Sequence, residues 1–175
     1  MLNRIQLYNY NINNNLYSKL LPNNYLDLPK LNKISLSINF NNKNLSNINI
    51  LYTLLFLELI TNQKSSLIFL KNRKNKTKNI KILGCKITLH GFPMYNFLDY
   101  FVNIVLPKVK HLDKLKMSEN QQEFTLCFSN FRSFIELEDD LESFDFMRRN
   151  KITIIFNGNN TNLRTFLNYI GIIFN

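Results

Sequence analysis

The sequence predicts an α+β fold, and three observations predict it. Stretches in which apolar residues alternate with period two sit among stretches with helical spacing. The two kinds are mixed without the regular strand–helix–strand order that a parallel sheet requires. A chain of 175 residues can bury about two-thirds of its unfolded surface in one core, without disulfides or metal. A single domain over residues 1–175 is expected, with residues 1–28 a divergent Asn-rich N-terminal segment and no internal repeat.

In chain order, a short helix is expected near residues 17–21, in a segment punctuated by Pro22 and Pro29. KISLSINF then places Ile34, Leu36, Ile38 and Phe40 on one face and Ser35, Ser37 and Asn39 on the other, a half-buried strand. Residues 41–47 are a loop, and Ser46 or Asn47 can cap the next helix. Residues 49–61 are apolar nearly all round, which predicts a buried helix stopped at Asn62. SSLIFL, residues 65–70, reads as a short strand, and residues 71–81 as an exposed basic loop. Cys85, Ile87 and Leu89 alternate with Lys86, Thr88 and His90 in a further strand, followed by a turn at Gly91 and Pro93. Met94, Phe97, Leu98, Phe101, Val102 and Val105 recur at helical spacing, so residues 94–106 form a helix that Pro107 ends. A basic loop leads to strand-like residues 124–128, then a loop and residues 134–137. An acidic stretch, a strand over 152–156, a turn over 157–160 and a helix over 161–169 complete the chain.

Composition excludes several classes of function. Cys85 and Cys127 are too few for a disulfide scaffold or a cysteine-based zinc finger, and His90 and His111 too few for a His-rich metal site. Neither a GxGxxG nor a GxxxxGK[ST] phosphate loop occurs. Both cysteines fall on predicted strands, where they read as small buried hydrophobes. No catalytic residue, metal or cofactor is expected. The longest apolar stretch, residues 48–60, is shorter than the roughly 20 residues a membrane span needs. The N-terminus has neither a signal-peptide core nor the basic density of a transit peptide, with only Arg4 and Lys19 ahead of Asp27. Roughly thirty asparagines and no alanine or tryptophan depart far from ordinary usage. That bias follows A- and T-rich codons and points to an organellar genome, for which no transit peptide is required.

Charge is the positive signal. Lys and Arg number 22 against 12 Asp and Glu, a net +10, which points to a polyanion. Lys71, Arg73, Lys74, Lys76, Lys78 and Lys81 lie within eleven positions and no acid interrupts them. Asn and Thr between them can donate to phosphate. The bland alternative is a solubilising loop. Lys108, Lys110, His111, Lys114 and Lys116 form a second group, and Arg148, Arg149 and Lys151 a third. Glu136, Glu138, Asp139, Asp140, Glu142 and Asp145 hold half of the carboxylates. They read as a solvated acidic face, suited to a basic partner.

Four separated motifs carry a resemblance. LPKLNKISLSI, LELITNQKSSLIFLKNR, LGCKITLHG and MYNFLDYFVNIVLPKVK occur in this order. They resemble the ribosomal protein L5 family of the large subunit, whose pattern runs approximately VPRVEKITLNMG, GQKP, IGCKVTLRG and M-aromatic-EFL-LPR. The likeness extends from about Leu28 to the final helix. It implies an antiparallel-rich sheet backed by helices with a protruding basic loop, and a non-enzymatic ribosomal constituent of the central protuberance. Implied partners are 5S rRNA or large-subunit rRNA, P-site tRNA, and other ribosomal proteins including one of the small-subunit head. Carried over by position, the RNA face comprises Ser37, Asn62, Gln63, Lys64, Lys86, Thr88 and His90. The basic loop would face tRNA and the acidic block a protein. With the codon bias, the resemblance implies a mitochondrial copy.

Departures accompany the likeness. Ser37 replaces the family's Asn and His90 its Arg, which costs donors and a fixed charge. NQQEFTLC, residues 120–127, lacks the Arg and glycines of the corresponding family segment. The basic loop is shorter. A particle without 5S rRNA, in which the protein holds large-subunit rRNA or neighbouring proteins, fits these changes. The rival from another class is an interaction or membrane-surface module whose basic loop meets anionic lipid; such modules pair that loop with an exposed amphipathic helix, and none is evident.

Overall fold

The computed structural model describes residues 15–19, 28–40, 46–70, 81–109, 116–120, 123–128, 131–137, 151–158 and 163–172. Six strands form one antiparallel sheet in the order β2-β3-β1-β6-β5-β4. They are β1 (Leu31–Asn39), β2 (Ser66–Leu70), β3 (Lys81–Leu89), β4 (Lys116–Asn120), β5 (Glu123–Phe128) and β6 (Ile152–Gly158). The helices are α1 (Asn47–Thr61), α2 (Gly91–Tyr100), α3 (Leu106–Lys108) and α4 (Leu163–Ile170), with residues 15–19 also helical. The α+β architecture is therefore as expected, with β1 at the centre between β3 and β6.

Period-two alternation decides the two faces of this sheet. Ile34, Leu36 and Ile38 pair with Leu89, Ile87 and Cys85 on one side and with Phe156, Ile154 and Ile152 on the other. All nine are buried and share one core with Phe56 and Leu57 of α1, Met94, Phe97 and Leu98 of α2, and Leu163, Phe166 and Leu167 of α4. The helices thus cover this face. With no alanine in the chain, aromatic rings fill the space between helices. Phe56 meets Phe131 and Phe134 edge-on at centroid distances of 5.6 and 5.4 Å, and Phe97 stacks on Phe101 at 5.9 Å.

Several local expectations are corrected. Gly91 and Pro93 do not form a separate turn; they open α2. Gly91 adopts φ +57°, which a glycine takes at no steric cost, and Pro93 lies in the first turn, where its missing N–H costs nothing. Pro107 does not end the helix. The ladder first widens into a π-helical turn over Phe101–Val105, and the chain leaves the helix only at Val109. That widening precedes a residue that has no N–H to give and whose ring crowds the preceding turn. Residues 134–137 are not strand-like; Phe131–Ser133 and Ile135–Leu137 are 3₁₀ turns. Residues 116–120, expected in a basic loop, form β4 against β5. Asn157 and Gly158 extend β6 rather than turning. Lys81 is no loop residue but the first of β3, which begins four positions earlier than its alternation showed. α1 is buried on one side only: Ile48, Leu51, Leu55 and Leu59 are exposed.

Candidate functional site

The sheet face away from the helices is built from short polar side chains. Ladder partners place Ser66, Lys86, Ser37, Thr153, Cys127 and Lys116 in one row across all six strands. A second row runs Thr88, Ser35, Ile155, Thr125 and Ser118. Lys86 and Ser66 are exposed; Ser37, Thr88, Thr153, Thr125 and Cys127 are half-buried. Neither row contains a carboxylate or an aromatic ring.

The turn after α1 is pinned to the backbone of β3 where its pairing with β2 ends. Ser46 caps the start of α1, accepting from the Asn49 N–H at 3.2 Å. At the other end Asn62 is left-handed (φ 51°, ψ 28°), its N–H bonded to the Glu58 carbonyl at 2.8 Å. Ser65 folds back onto the helix, donating from its N–H and its hydroxyl to Glu58 Oε1 at 2.9 and 3.0 Å. These bonds, the backbone one first, hold the Glu58 carboxyl below its ordinary pKa, and Lys64 adds to the effect. Between the two anchors Asn62, Gln63 and Lys64 stand exposed. Gln63 Nε2 donates to the Thr88 carbonyl at 3.2 Å. The β2–β3 ladder starts at Ser66 and Lys86, so the glutamine amide satisfies a β3 carbonyl just outside it. Ser66 Oγ donates to the Lys86 carbonyl at 2.9 Å.

Of the seven residues expected on the RNA face, six are linked by strand pairing or by the Gln63–Thr88 bond. Ser37 is the ladder partner of Lys86, and Thr88 lies next on that face of β3. Asn62, Gln63 and Lys64 reach them through the Gln63–Thr88 bond. His90 occupies the N-cap position of α2 in extended conformation and is exposed. Ser66 and Thr153, on the same row, were not singled out by sequence reasoning, although the alternation of their strands is the signal that marks them.

The other expected groups are only partly described. Lys71, Arg73, Lys74, Lys76 and Lys78 lie outside the described residues, as do Glu138, Asp139, Asp140, Glu142, Asp145, Lys110, His111, Lys114, Arg148 and Arg149. Lys108 and Lys151 are exposed. Glu136 is half-buried and engaged within the chain: Tyr100 Oη donates to it at 2.5 Å and accepts from the Ile135 N–H at 3.3 Å. Cys85, on the core face, is buried and its thiol is pushed up to about 12 by desolvation, so it is inert as a nucleophile near neutral pH. No helix among the described residues is long and apolar enough to cross a membrane.

The arrangement offers hydroxyls, amides and ammonium groups along two rows that contain no carboxylate; Glu123, on the same face one row further on, accepts from the Asn157 amide. Hydroxyls can both donate to phosphate oxygens and exchange bonds with ribose hydroxyls, while lysines supply charge. The two rows offer no ring on which a base could stack, so what they present is hydrogen-bonding groups and charge.

The chain is similar to known proteins of one family. The model of the C-terminal part of the ribosomal L5 family matches residues 82–174. Large ribosomal subunit protein uL5 of Natranaerobius thermophilus is 31% identical over 132 residues, 68% of this chain and 69% of that protein. Large ribosomal subunit protein uL5m of Reclinomonas americana is 28% identical over 135 residues, 73% of this chain and 72% of its own length. Large ribosomal subunit protein uL5c of Euglena longa is 32% identical over 108 residues, covering 58% of each.

Proposed function

The chain belongs to the ribosomal L5 family and is a structural, non-enzymatic protein of a large ribosomal subunit, and we propose that it holds rRNA through the surface centred on the Gln63–Thr88 bond. The observation that carries this reading is that one bond: it ties the turn after α1 to the β3 backbone at Thr88, whose side chain shares the open sheet face with Lys86 and Ser37, and so brings together residues far apart in sequence. Ser37, Asn62, Gln63, Lys64, Lys86, Thr88 and His90 are its members, with Ser66 and Thr153 beside them. The RNA is 5S rRNA where the particle has one and large-subunit rRNA otherwise. Replacement of the family's Arg by His90 favours a lighter contact at that end.

The finer assignment has three parts. The particle is mitochondrial, supported by the amino-acid bias towards residues with A- and T-rich codons and by the likeness to the Reclinomonas protein. The basic group Lys71, Arg73, Lys74, Lys76 and Lys78 faces P-site tRNA, and Lys81, as the first residue of β3, marks where that segment enters the sheet. The carboxylates Glu138, Asp139, Asp140, Glu142 and Asp145 face a basic protein of the small-subunit head; Glu136, already bonded to Tyr100, anchors their start.

Filter binding to rRNA transcribed from the parent genome tests the site. Gln63→Ala and Lys86→Gln should each weaken binding several-fold while the protein stays folded, the lysine change also reducing the salt dependence. Affinities equal to wild type for both would overturn the site, and a chain that fails to sediment with large subunits would overturn the role.

A further inference from the structure

Both ends of the turn that carries Asn62, Gln63 and Lys64 are tied to one residue. The Glu58 carbonyl accepts from the Asn62 N–H at 2.8 Å, closing the end of α1. Its carboxylate Oε1 accepts from the Ser65 N–H at 2.9 Å and from the Ser65 hydroxyl at 3.0 Å. The next residue, Ser66, is already the first of β2 and pairs with Lys86. Glu58 thus brackets the three exposed residues whose middle member reaches the Thr88 carbonyl.

Glu58 is the sole charged side chain in residues 47–61. It is exposed, so water can replace it on the Ser65 N–H. What the clasp adds is therefore order in the turn rather than rescue of a buried polar group. A turn held at both ends loses less conformational entropy when a ligand fixes it. As bare charge, the same carboxylate works against a polyanion. It is bonded to the residue beside Lys64 and lowers the positive potential there. Order and charge thus act on RNA binding with opposite sign, which makes the role of Glu58 measurable.

We propose that Glu58 is a positioning residue of the rRNA site: its carboxylate holds Ser65, so that Gln63 meets Thr88 and the Asn62–Lys64 turn is presented to RNA in one shape. Glu58 itself touches no RNA and acts through Ser65. This rests on the rRNA-binding reading above and deepens it.

Filter binding of Glu58→Ala and Glu58→Gln to the same rRNA, with Gln63→Ala beside them, tests the role. Removing the carboxylate raises the net charge of +10 by one, so a Glu58 that acted as charge alone would give tighter binding on its removal. The clasp predicts the reverse. Glu58→Ala should weaken binding about two- to tenfold, while Glu58→Gln, whose amide oxygen still accepts from Ser65, should retain most of the affinity. Ser65→Ala removes the hydroxyl bonds to Glu58 and to the Leu54 carbonyl but keeps the N–H bond. It should show a smaller loss in the same direction, and it decides the matter should Glu58→Ala not fold. In the free protein, the NMR signals of the Gln63 side-chain amide should move towards those of an unbonded amide in Glu58→Ala and stay in place in Glu58→Gln. Unchanged or tighter binding in Glu58→Ala, with Gln63→Ala weakened, would overturn the positioning role and leave the rRNA site standing. So would a Glu58→Gln variant as weak as Glu58→Ala, or a Gln63 amide signal that does not respond. Unchanged binding in both Glu58→Ala and Gln63→Ala would remove the site and the role together.

Discussion

Gly84 and Cys85, adjacent on β3, illustrate how single residues carry different constraints. A Cβ at Gly84 would collide with the Ile38 carbonyl on the neighbouring strand, and that obstacle is rigid backbone. Gly84→Ala should therefore cost about 1–3 kcal/mol, read as a lowered urea midpoint. Cys85 faces the core, and its thiol is raised from 9.0 to about 12. Below about pH 8 both folded and unfolded thiols are neutral, so its contribution to stability is complete. At higher pH the unfolded thiol ionises while the folded one does not, and stability falls by about 1.4 kcal/mol per pH unit until the folded thiol also titrates. A Cys85→Val variant should lack this part of the alkaline decline, so that urea midpoints of the two proteins, compared at mildly and strongly alkaline pH, shift relative to each other. At neutral pH a thiol reagent should label half-buried Cys127 first and reach Cys85 only on unfolding.

At the scale of elements, the turn after α1 shows how a helix end becomes part of a site. Asn62 caps the helix, Glu58 recaptures Ser65, and the three exposed residues between are left facing β3. Caps of this kind are readable: Ser46 and Asn62 both stand where local sequence places them. The Gln63–Thr88 bond is not, since nothing in either segment names its partner 25 residues away. The basic segment between β2 and β3 belongs to the same scale. Replacing Lys71, Lys74, Lys76 and Lys78 by Gln should flatten the dependence of log affinity on log salt by roughly 0.7–0.9 per lysine that touches phosphate. An unchanged slope would reduce the segment to a solubilising loop.

Across the whole molecule, the acids are spread unevenly along the chain: half of them fall within residues 136–145, while the two polar ladder rows of the open sheet face carry none. Apposing such a block of carboxylates to phosphate is repulsive at any ordinary ionic strength. Cross-linking in the joined ribosome should therefore connect residues 138–145 to a basic protein, and linkage to rRNA alone would contradict the assignment.

Short-range signals were enough for the fold class, the inward faces of β1 and β3, both caps of α1 and the polar positions of β1 and β3, because alternation and capping are written within a few residues of each other. The rest depended on contacts between distant segments. β4 has too little apolar alternation to announce itself and exists as the antiparallel partner of β5. Pro107 reads as a stop, yet the π-helical turn ahead of it lets the helix continue, supported by the packing of Phe101 and Val105 in the core. α1 is apolar all round, and periodicity cannot tell which side meets the core when both are equally greasy. Burial does, because a single sheet face can cover only one side of a helix, and Ile50, Phe56, Leu57 and Ile60 are the side it covers.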